Sequence, residues 1–252
     1  MSDDFTLAGY AALLEELFSR GYVARSYHDA EPNAKHLIVR HDVDISLESA
    51  LRVAEMESRL RVAAVFLVLL RTEMYNPFSR DGERCLRTLI KLGHEIGLHF
   101  DASLYSDEVD VLDHACAMEC TLMESFLSRP VRIVSFHRPA KALIGLDRRL
   151  AGRRHAYEPA FVKAMGYCSD SRGGWHHGHP LEHSAIARGH ALQLLTHPIW
   201  WDARAGETPV EKLNRLALAR FDVTRLELGR NCQPYAAWLC DSFNPGAGEG
   251  TP

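Results

Sequence analysis

The amino-acid sequence predicts an α/β fold, namely an incomplete or distorted (β/α) barrel of about six to seven parallel strands with outer helices. Short apolar runs alternate with longer segments of helical periodicity, which is typical of sheets built from β/α units. The apolar runs carry hydrophobic residues at consecutive positions, as strands buried on both faces do. Polar residues that can bind metals or protons follow several runs, at the end where a barrel collects its active site.

Six apolar runs have the length and composition of strands. They are rich in aliphatic and aromatic residues, and segments of helical spacing or turn residues separate them. The predicted strands are residues 36–40, 63–70, 95–100, 131–136, 167–169 and 191–196. Their alternation with helices predicts that they lie parallel to one another.

Helices are predicted between the strands from apolar spacing and from capping residues. One begins near Leu47, and a second has Asp81 as its N-cap and ends before Gly93, where a left-handed residue is needed. A long helix is predicted over residues 109–126 and a short one over residues 159–165.

The C-terminal part of the chain predicts one more helix and a tail. Thr208, Pro209 and Glu211 form a capping box with proline at the first helical position, so a helix begins here and ends near Gly229. Residues 244–252 are rich in glycine and proline and predict a flexible tail.

Length and composition predict one catalytic domain over residues 1–243. The chain has 252 residues, 46% of them hydrophobic, which is typical of a globular protein that buries a substantial core. Its formal net charge of −4 gives no reason to expect nucleic acid as a partner. A small molecule or a glycan is the expected partner, and oligomeric state is left open.

The N-terminus and the cysteines indicate a cytoplasmic protein. Residues 1–5 lack a basic segment followed by an apolar run, so neither a secretion signal nor a membrane span is predicted. The six cysteines contain no CxxC pair and are expected to be free thiols, with Cys116 and Cys120 in a helix core.

Residues with metal-binding or acid–base side chains follow most of the predicted strands. Chance would scatter such residues through the helices as well, so their repeated position indicates a shared site. The candidates are His41, Asp42, Asp44, His99, Asp101, His137, Arg138, Asp170 and His197.

Asp42 and Asp44 are separated by one residue, so in extended backbone they point to the same side. One carboxylate is suited to bind a metal while the other acts as a base toward the metal's water. The alternative is that Asp44 caps the next helix, a role for which Ser46 competes.

The histidines after the later strands suit two different roles. A neutral imidazole at His99 is a good ligand for zinc, cobalt, nickel or iron, although a structural histidine is the alternative, which we favour for His94. His137 and Arg138 are adjacent, so their side chains should diverge: one meets a metal while the other braces an aspartate, grips substrate or forms a surface ion pair. His197 is the expected proton donor to a departing amine.

The order and spacing of these motifs resemble the polysaccharide deacetylase superfamily, the NodB-homology enzymes that remove acetyl groups from N-acetylated sugars. The similarity runs from about His36 to Trp201 and covers most of the chain. The matching motifs are Asp42 with Asp44, the run from Gly93 to His99, Arg138-Pro139, Asp170 with Trp175, and Leu195-Thr196-His197.

The sequence departs from this pattern at Ser103, where the superfamily carries the second histidine of an Asp-His-His ligand set. Because three protein ligands are usual in catalytic sites, we expect His137 to complete the set with Asp44 and His99. Asp101 is the second choice. If neither does, the chain is a metal-free relative that only binds carbohydrate.

The resemblance implies a metal-dependent hydrolysis of an N-acyl bond. One divalent ion is expected, zinc first, with cobalt, nickel or iron as alternatives. Asp42 is the expected base and His197 the acid, with Arg138 and Asp170 as further catalytic residues; the expected substrate contacts are Trp175, Trp200 and Trp201. The expected substrate is an intracellular precursor of a surface glycan, with a small non-sugar amide as the alternative.

A second enzyme class, the helical HD phosphohydrolases, is suggested by the dipeptide His41-Asp42. That motif requires a helix, whereas Leu37, Ile38 and Val39, which lie just upstream of Arg40, are apolar and two of them are β-branched. The sequence therefore disfavours this class.

Overall fold

The computed structural model describes residues 5–139, 141–176 and 178–243 of the chain. Within them, eight strands form one sheet in which every neighbouring pair is parallel. The strands are β1 (Val23–Ala24), β2 (His36–Val43), β3 (Val65–Val68), β4 (Glu95–Asp101), β5 (Ile133–His137), β6 (Arg154–His155), β7 (Gly166–Ser169) and β8 (Leu192–Thr196).

Helices occupy most of the connections between the strands. They are α1 (Leu7–Ser19), α2 (Leu47–Arg59), α3 (Arg80–Lys91), α4 (Val109–Leu127), α5 (Pro159–Val162), α6 (Ser184–Arg188), α7 (Pro198–Trp201), α8 (Pro209–Asn231) and α9 (Gln233–Phe243). None of the described helices is both long enough and apolar enough to cross a membrane.

The sheet is an open barrel. Its strand order is β6-β5-β4-β3-β2-β8-β7, with β1 beside β2, and no pairing among the described residues joins β6 to β7. The predicted fold class, an incomplete (β/α) barrel of parallel strands, is therefore confirmed.

The strands are buried on both faces, as their continuous apolar runs predict. Every residue of β3 and of β8 is buried, and so is every residue of β2 after His36. One face of the sheet packs a cluster that includes Ile38, Leu67 and Phe161. This apolar packing positions the polar residues at the carboxyl ends of the strands.

One boundary near the site differs from the prediction, and one open alternative is decided. β2 continues three residues past the predicted end at Arg40, so Asp42 lies within the strand. Ser46, whose hydroxyl accepts the Ser49 N–H at 3.1 Å, caps α2, which leaves Asp44 free of that role.

The start of α3 was predicted wrongly and its end correctly. Ser79 is the N-cap, because its hydroxyl accepts the Gly82 N–H, and Asp81 lies in the first turn. The helix therefore begins two residues earlier than predicted. Asp81 still stabilises it, because a negative charge in the first turn interacts favourably with the helix dipole. Gly93 follows the helix with φ of +92°, as predicted.

Three elements of the first 160 residues were not predicted. α1 buries Tyr10, Leu13, Leu14 and Leu17 against the rest of the fold. β1 and β6 contain two residues each, too few to produce a periodic pattern.

By its internal contacts the chain forms two compact units, Met1–Gly206 and Glu207–Pro252. In the second, the capping box at Thr208 and Glu211 is confirmed, α8 runs to Asn231, and α9 was not predicted. The prediction of one domain over residues 1–243 stays a prediction. The predicted tail, residues 244–252, lies outside the described residues.

Candidate active site

Side chains from four strand ends meet at the carboxyl end of the sheet. Asp44 follows β2, His99 lies in β4, His137 ends β5, and His197 follows β8. β4 pairs with β5, and β2 pairs with β8, so residues distant in sequence become neighbours. The convergence predicted from the strand-end positions is what the structure shows.

Asp44, His99 and His137 each direct one donor atom to a common point. Asp44 Oδ1 lies 3.0 Å from His99 Nε2 and 3.2 Å from His137 Nδ1, and the three atoms lie within 4.8 Å of one another. Donor atoms around a tetrahedral zinc ion are about 3.3 Å apart, given bond lengths of about 2.0–2.1 Å. Asp44 Oδ1 is buried and accepts no hydrogen bond from the described residues. The set therefore fits a divalent metal ion.

The charges of this set favour an ionised carboxylate. Burial raises the pKa of Asp44, but the rings of His137, His99 and His197 outweigh burial and hold this pKa well below its usual range. Contact with Asp44 raises the pKa of His137 against the opposing effect of burial. A metal cation that binds here would take the place of the protons on these imidazoles and would interact favourably with the buried carboxylate.

Ser135 orients His99 from behind. Its hydroxyl oxygen lies 2.6 Å from His99 Nδ1. When this nitrogen carries the proton, Nε2 keeps its lone pair directed toward Asp44. Ser135 was not predicted, although it lies two residues before His137 on the same face of β5.

Arg40 holds Asp42 in a two-pronged ion pair. Arg40 Nε and one terminal nitrogen each lie 2.8 Å from a different Asp42 oxygen, and the two side chains are 0% and 4% exposed. Burial opposes ionisation, but Arg40 outweighs it and keeps the pKa of Asp42 low. Asp42 Oδ2 lies 3.6 Å from His99 Nε2, at the edge of the metal-binding set.

Arg40 was missed in the sequence, although the signal was present. Residues two apart in a strand share a face, so Arg40 and Asp42 were bound to be neighbours once β2 was extended. A terminal nitrogen of Arg40 also donates to Gln193 Oε1 at 3.2 Å, and the Tyr27 hydroxyl donates to the same oxygen. These contacts hold the guanidinium in place behind Asp42.

Asp170 and Trp201 hold His197. His197 Nδ1 lies 2.6 Å from Asp170 Oδ1, and the Trp201 indole N–H donates to Asp170 Oδ2 at 2.7 Å. Burial lowers the pKa of His197, but Asp170 outweighs burial and raises this pKa to about 9. The other ring nitrogen, Nε2, lies 3.7 Å from Asp44 Oδ2, so it faces the metal-binding set.

Arg138 lies beside an aspartate, as one of its predicted roles requires. Its guanidinium is 67% exposed and lies 3.6 Å from Asp101 Oδ2, whereas Arg40 is the residue that holds Asp42. A catalytic role for Arg138 stays a prediction. Asp101 in turn accepts hydrogen bonds from the Ser103 N–H and hydroxyl, at 3.0 and 2.6 Å. Asp101 therefore stabilises the backbone at Ser103. His137, the first choice for the third ligand, is the residue that joins Asp44 and His99.

The three tryptophans differ in their access to solvent. Trp201 is 0% exposed and Trp200 is 8% exposed, so neither offers a ring face on which a sugar could stack. Core packing explains both, and Trp201 contributes by orienting Asp170. Trp175 is half-buried, with its ring centre 5.9 Å from that of Trp201.

His94 and His41 are structural. His94 accepts the Ala64 N–H at Nδ1 and meets the Ala54 carbonyl at Nε2, as expected for a satisfied core histidine. His41 points to the face of β2 opposite Asp42, where it contacts Glu57. Because this dipeptide lies in a strand, the helical HD phosphohydrolase alternative is excluded.

Comparison with known proteins finds similar folds only among solved structures. No protein-family model matches the sequence, and no curated protein matches it. A family 4 carbohydrate esterase from Bacillus anthracis is 14% identical over 84% of this chain and 86% of that chain, with a TM-score of 0.44. A Streptococcus pyogenes deacetylase solved in complex with acetate is 10% identical over 81% and 84%, with a TM-score of 0.43.

A third solved structure is a pseudoenzyme of carbohydrate esterase family 4 from Bacillus anthracis. It is 15% identical over 75% of this chain, with a TM-score of 0.42, and the chain spans 63% of its length. At these identities, the side chains of the site are a better guide to function than the likeness.

Proposed function

We propose that this protein is a metal-dependent hydrolase that removes the acetyl group from an acetamido sugar. The observation that carries the proposal is the meeting of Asp44, His99 and His137 at one point, with Asp42 and His197 beside it. This combination supplies a metal site, a base and an acid within one cluster. Amide hydrolysis needs all three functions.

Asp44 Oδ1, His99 Nε2 and His137 Nδ1 would hold the ion. When bound, a divalent cation polarises the amide carbonyl and makes its water more acidic. Nitrogen and carboxylate donors suit zinc first, with cobalt, nickel and iron as alternatives. A set of three protein ligands would leave room for water and substrate beside the ion.

Asp42 is the proposed base. Arg40 donates one hydrogen bond to each carboxylate oxygen of Asp42. Each oxygen of an ionised carboxylate has a further lone pair that can accept a proton. Oδ2 faces His99, so a lone pair at the site can receive a proton from water. The low pKa keeps the carboxylate of Asp42 ionised and able to accept a proton.

His197 is the proposed acid. Its pKa of about 9 keeps the ring protonated at neutral pH, and Asp170 holds Nδ1, so Nε2 is the atom left to donate. A proton delivered from Nε2 to the departing nitrogen turns it into a neutral amine. Nε2 lies 3.7 Å from Asp44 Oδ2, so the proposed acid is next to a residue that would hold the ion.

The sugar part of the proposal is supported by the motif resemblance. A partly exposed indole, Trp175, is the remaining predicted aromatic that can meet a ring. The proposed substrate is an intracellular precursor of a surface glycan, in a cytoplasmic enzyme. A small non-sugar amide and a carbohydrate-binding protein without activity are the outcomes that the test below distinguishes from it.

The test combines elemental analysis with an acetate-release assay on N-acetylated sugars and nucleotide sugars. We expect about one divalent ion per chain and acetate release that stops on chelation. His137→Ala should lose both metal and activity, whereas Asp42→Asn should lose activity and keep the metal.

His114→Ala is the matched control, because His114 is an exposed histidine of α4 outside the site. Full metal content and activity in His137→Ala would remove His137 from the ligand set. Unchanged hydrolysis after complete removal of metal would overturn the proposed mechanism. Sugar binding with neither metal nor acetate release would identify a binding protein.

A further inference from the structure

A cavity of about 300 Å³ lies at the amino ends of the strands, whereas the candidate active site lies at their carboxyl ends. The residues that line it are His28, Val131, Arg132, Arg149, Ala151, Gly152 and Arg153. Val131 and Arg132 precede β5, Arg153 precedes β6, and His28 lies between β1 and β2. No catalytic residue of the proposed hydrolase lies here.

The lining of this cavity is basic. Arg132, Arg149, Arg153 and His28 supply its charged and titratable side chains, and none of its lining residues is acidic. Burial lowers the pKa of His28, and so do Arg154, Arg132 and Arg149, together outweighing the opposite effect of Asp29. Every charged side chain among the lining residues is therefore an arginine.

One arginine forms a fixed wall. Arg153 Nε donates to the Val131 carbonyl at 2.9 Å, and a terminal nitrogen lies 2.8 Å from Glu124 Oε1. Leu150 and Arg153 also exchange both backbone hydrogen bonds, at 3.0 and 2.9 Å, which closes a tight turn between them. Arg153 therefore shapes the cavity, and its guanidinium already has hydrogen-bond partners within the protein.

Two other arginines are available to a ligand. Arg132 and Arg149 are exposed, and neither guanidinium makes a hydrogen bond or a close ion pair with any described residue. Each guanidinium carries five N–H donors, which match the oxygens of a phosphate better than water-exposed lysine does. They lie beside the fixed turn, so a ligand would meet preformed geometry on one side.

Two of the nearby carboxylates have partners of their own, and a third lies in an adjoining cavity. Glu124 pairs with Arg153, and Asp29 accepts a hydrogen bond from the Ser26 hydroxyl at 2.6 Å. Glu95 lines an adjoining cavity that shares Val131 and Arg132, and one of its carboxylate oxygens has no hydrogen-bond partner among the described residues. Burial raises the pKa of Glu95, and the attraction to Arg132 opposes this effect. None of these groups neutralises Arg149.

We propose that this cavity binds the phosphate or diphosphate group of a small molecule, through Arg132 and Arg149 with His28 beside them. Two guanidinium groups can meet a dianion with paired N–H donors, which is the strongest arrangement for an oxyanion. The ligand is a small molecule because the site is a cavity at the lower end of the usual size range, about 300–1,000 Å³, rather than a flat surface. The site is independent of the proposed hydrolase activity.

The test is calorimetric titration of the full chain with inorganic pyrophosphate at constant ionic strength. We expect one site per chain, with binding at least about tenfold weaker in Arg132→Gln and in Arg149→Gln, because each removes a charge-assisted pair of hydrogen bonds. The same titration with His99→Ala should show unchanged pyrophosphate binding, because His99 does not line this cavity. That result would show that pyrophosphate does not bind through a metal at the candidate active site.

Arg84→Gln is the matched control, since Arg84 is an exposed arginine of α3 that lines neither this cavity nor the adjoining one. Circular dichroism of each variant verifies the fold. Because Arg149 is an exposed loop residue, Arg149→Gln alone suffices if Arg132→Gln misfolds. Equal affinity in Arg149→Gln and the parent, or no binding by the parent, would overturn the proposal. So would binding to anionic lipid vesicles or heparin without binding to pyrophosphate.

Discussion

Two histidine–carboxylate pairs lie on opposite sides of β2 and have similar contact distances. His197 meets Asp170 at 2.6 Å, and His41 meets Glu57 at 2.8 Å. The pairs differ in the second ring nitrogen: that of His41 lies 2.7 Å from the Thr196 hydroxyl, whereas that of His197 faces Asp44 at the site. His41 and Glu57 are also 0% exposed, while His197 is 13% exposed.

The difference shows which pair is free to act as an acid, because a histidine can pass a proton to a substrate only through a ring nitrogen that the substrate can reach. In the sealed pair every polar direction of the imidazole is used inside the protein, so the pair stabilises the fold. In the open pair one nitrogen is held and the other is left to exchange a proton. Changing one member of each pair should therefore affect different properties.

The largest expected effect is on turnover at the open pair. His197→Gln should lower kcat for acetate release by roughly 10²–10⁴-fold, because amide departure loses its proton donor. Metal content and the free energy of unfolding should change little, because glutamine keeps a polar group beside Asp170. A variant with parental kcat would remove His197 from the mechanism.

The sealed pair should show its effect in stability. Glu57→Ala leaves His41 and the Tyr10 hydroxyl without their shared acceptor in the core, so urea unfolding should show a loss of about 3–5 kcal/mol. Glu55→Ala, at an exposed position of the same helix, is the matched control. A loss as small as that of the control would show that the buried pair does not stabilise the fold.

The dependence of kcat on pH should reveal the effect of Asp170 on His197 in the open pair. Asp170 raises the pKa of His197, so the acid form is present below this pKa and is lost as pH rises through it. Asp170→Asn should move the alkaline limb of kcat to lower pH, toward the ordinary histidine value of about 6.5. Asp101→Asn, which alters a nearby carboxylate without touching His197, should leave the limb in place. An unmoved limb in Asp170→Asn would contradict the assignment.

The smallest expected effect concerns one hydrogen bond of the sealed pair. Tyr10→Phe removes the hydroxyl that donates to Glu57 Oε1 at 2.8 Å, while His41 still satisfies that oxygen. Urea unfolding should show a loss of about 0.5–1.5 kcal/mol, with kcat unchanged. A fall in kcat without a change in stability would mean that the sealed pair acts on the reaction.

Much of the site could be predicted because its residues follow strands. Strand ends in a parallel barrel meet at one edge, so Asp44, His99 and His137 were placed together from their positions alone. The run from Gly93 to His99 was also recognised, although most of it serves the fold. A Cβ at Gly97 would lie 2.6 Å from the Ile133 carbonyl, so β4 and its neighbours require glycine there.

Other features could not be predicted because they depend on packing between distant segments. Nothing local distinguishes Ser135 from an ordinary strand serine until His99 is packed beside it. Trp201 resembled a substrate platform in the sequence, yet the packing of α7 turned it inward toward Asp170. The amino-end cavity draws Arg132 and Arg149 from loops before β5 and β6, which have no motif of their own.

The proposed ligands come from β2, β4 and β5, with β3 between the first two in the sheet. The unfolded chain would not bring these side chains together, so an ion would bind almost exclusively to the folded chain and raise its melting temperature. An ion at one hundred times its Kd would contribute about 2.7 kcal/mol of stability. Melting curves with a panel of divalent salts would thus rank the ions that this site prefers before any substrate is identified.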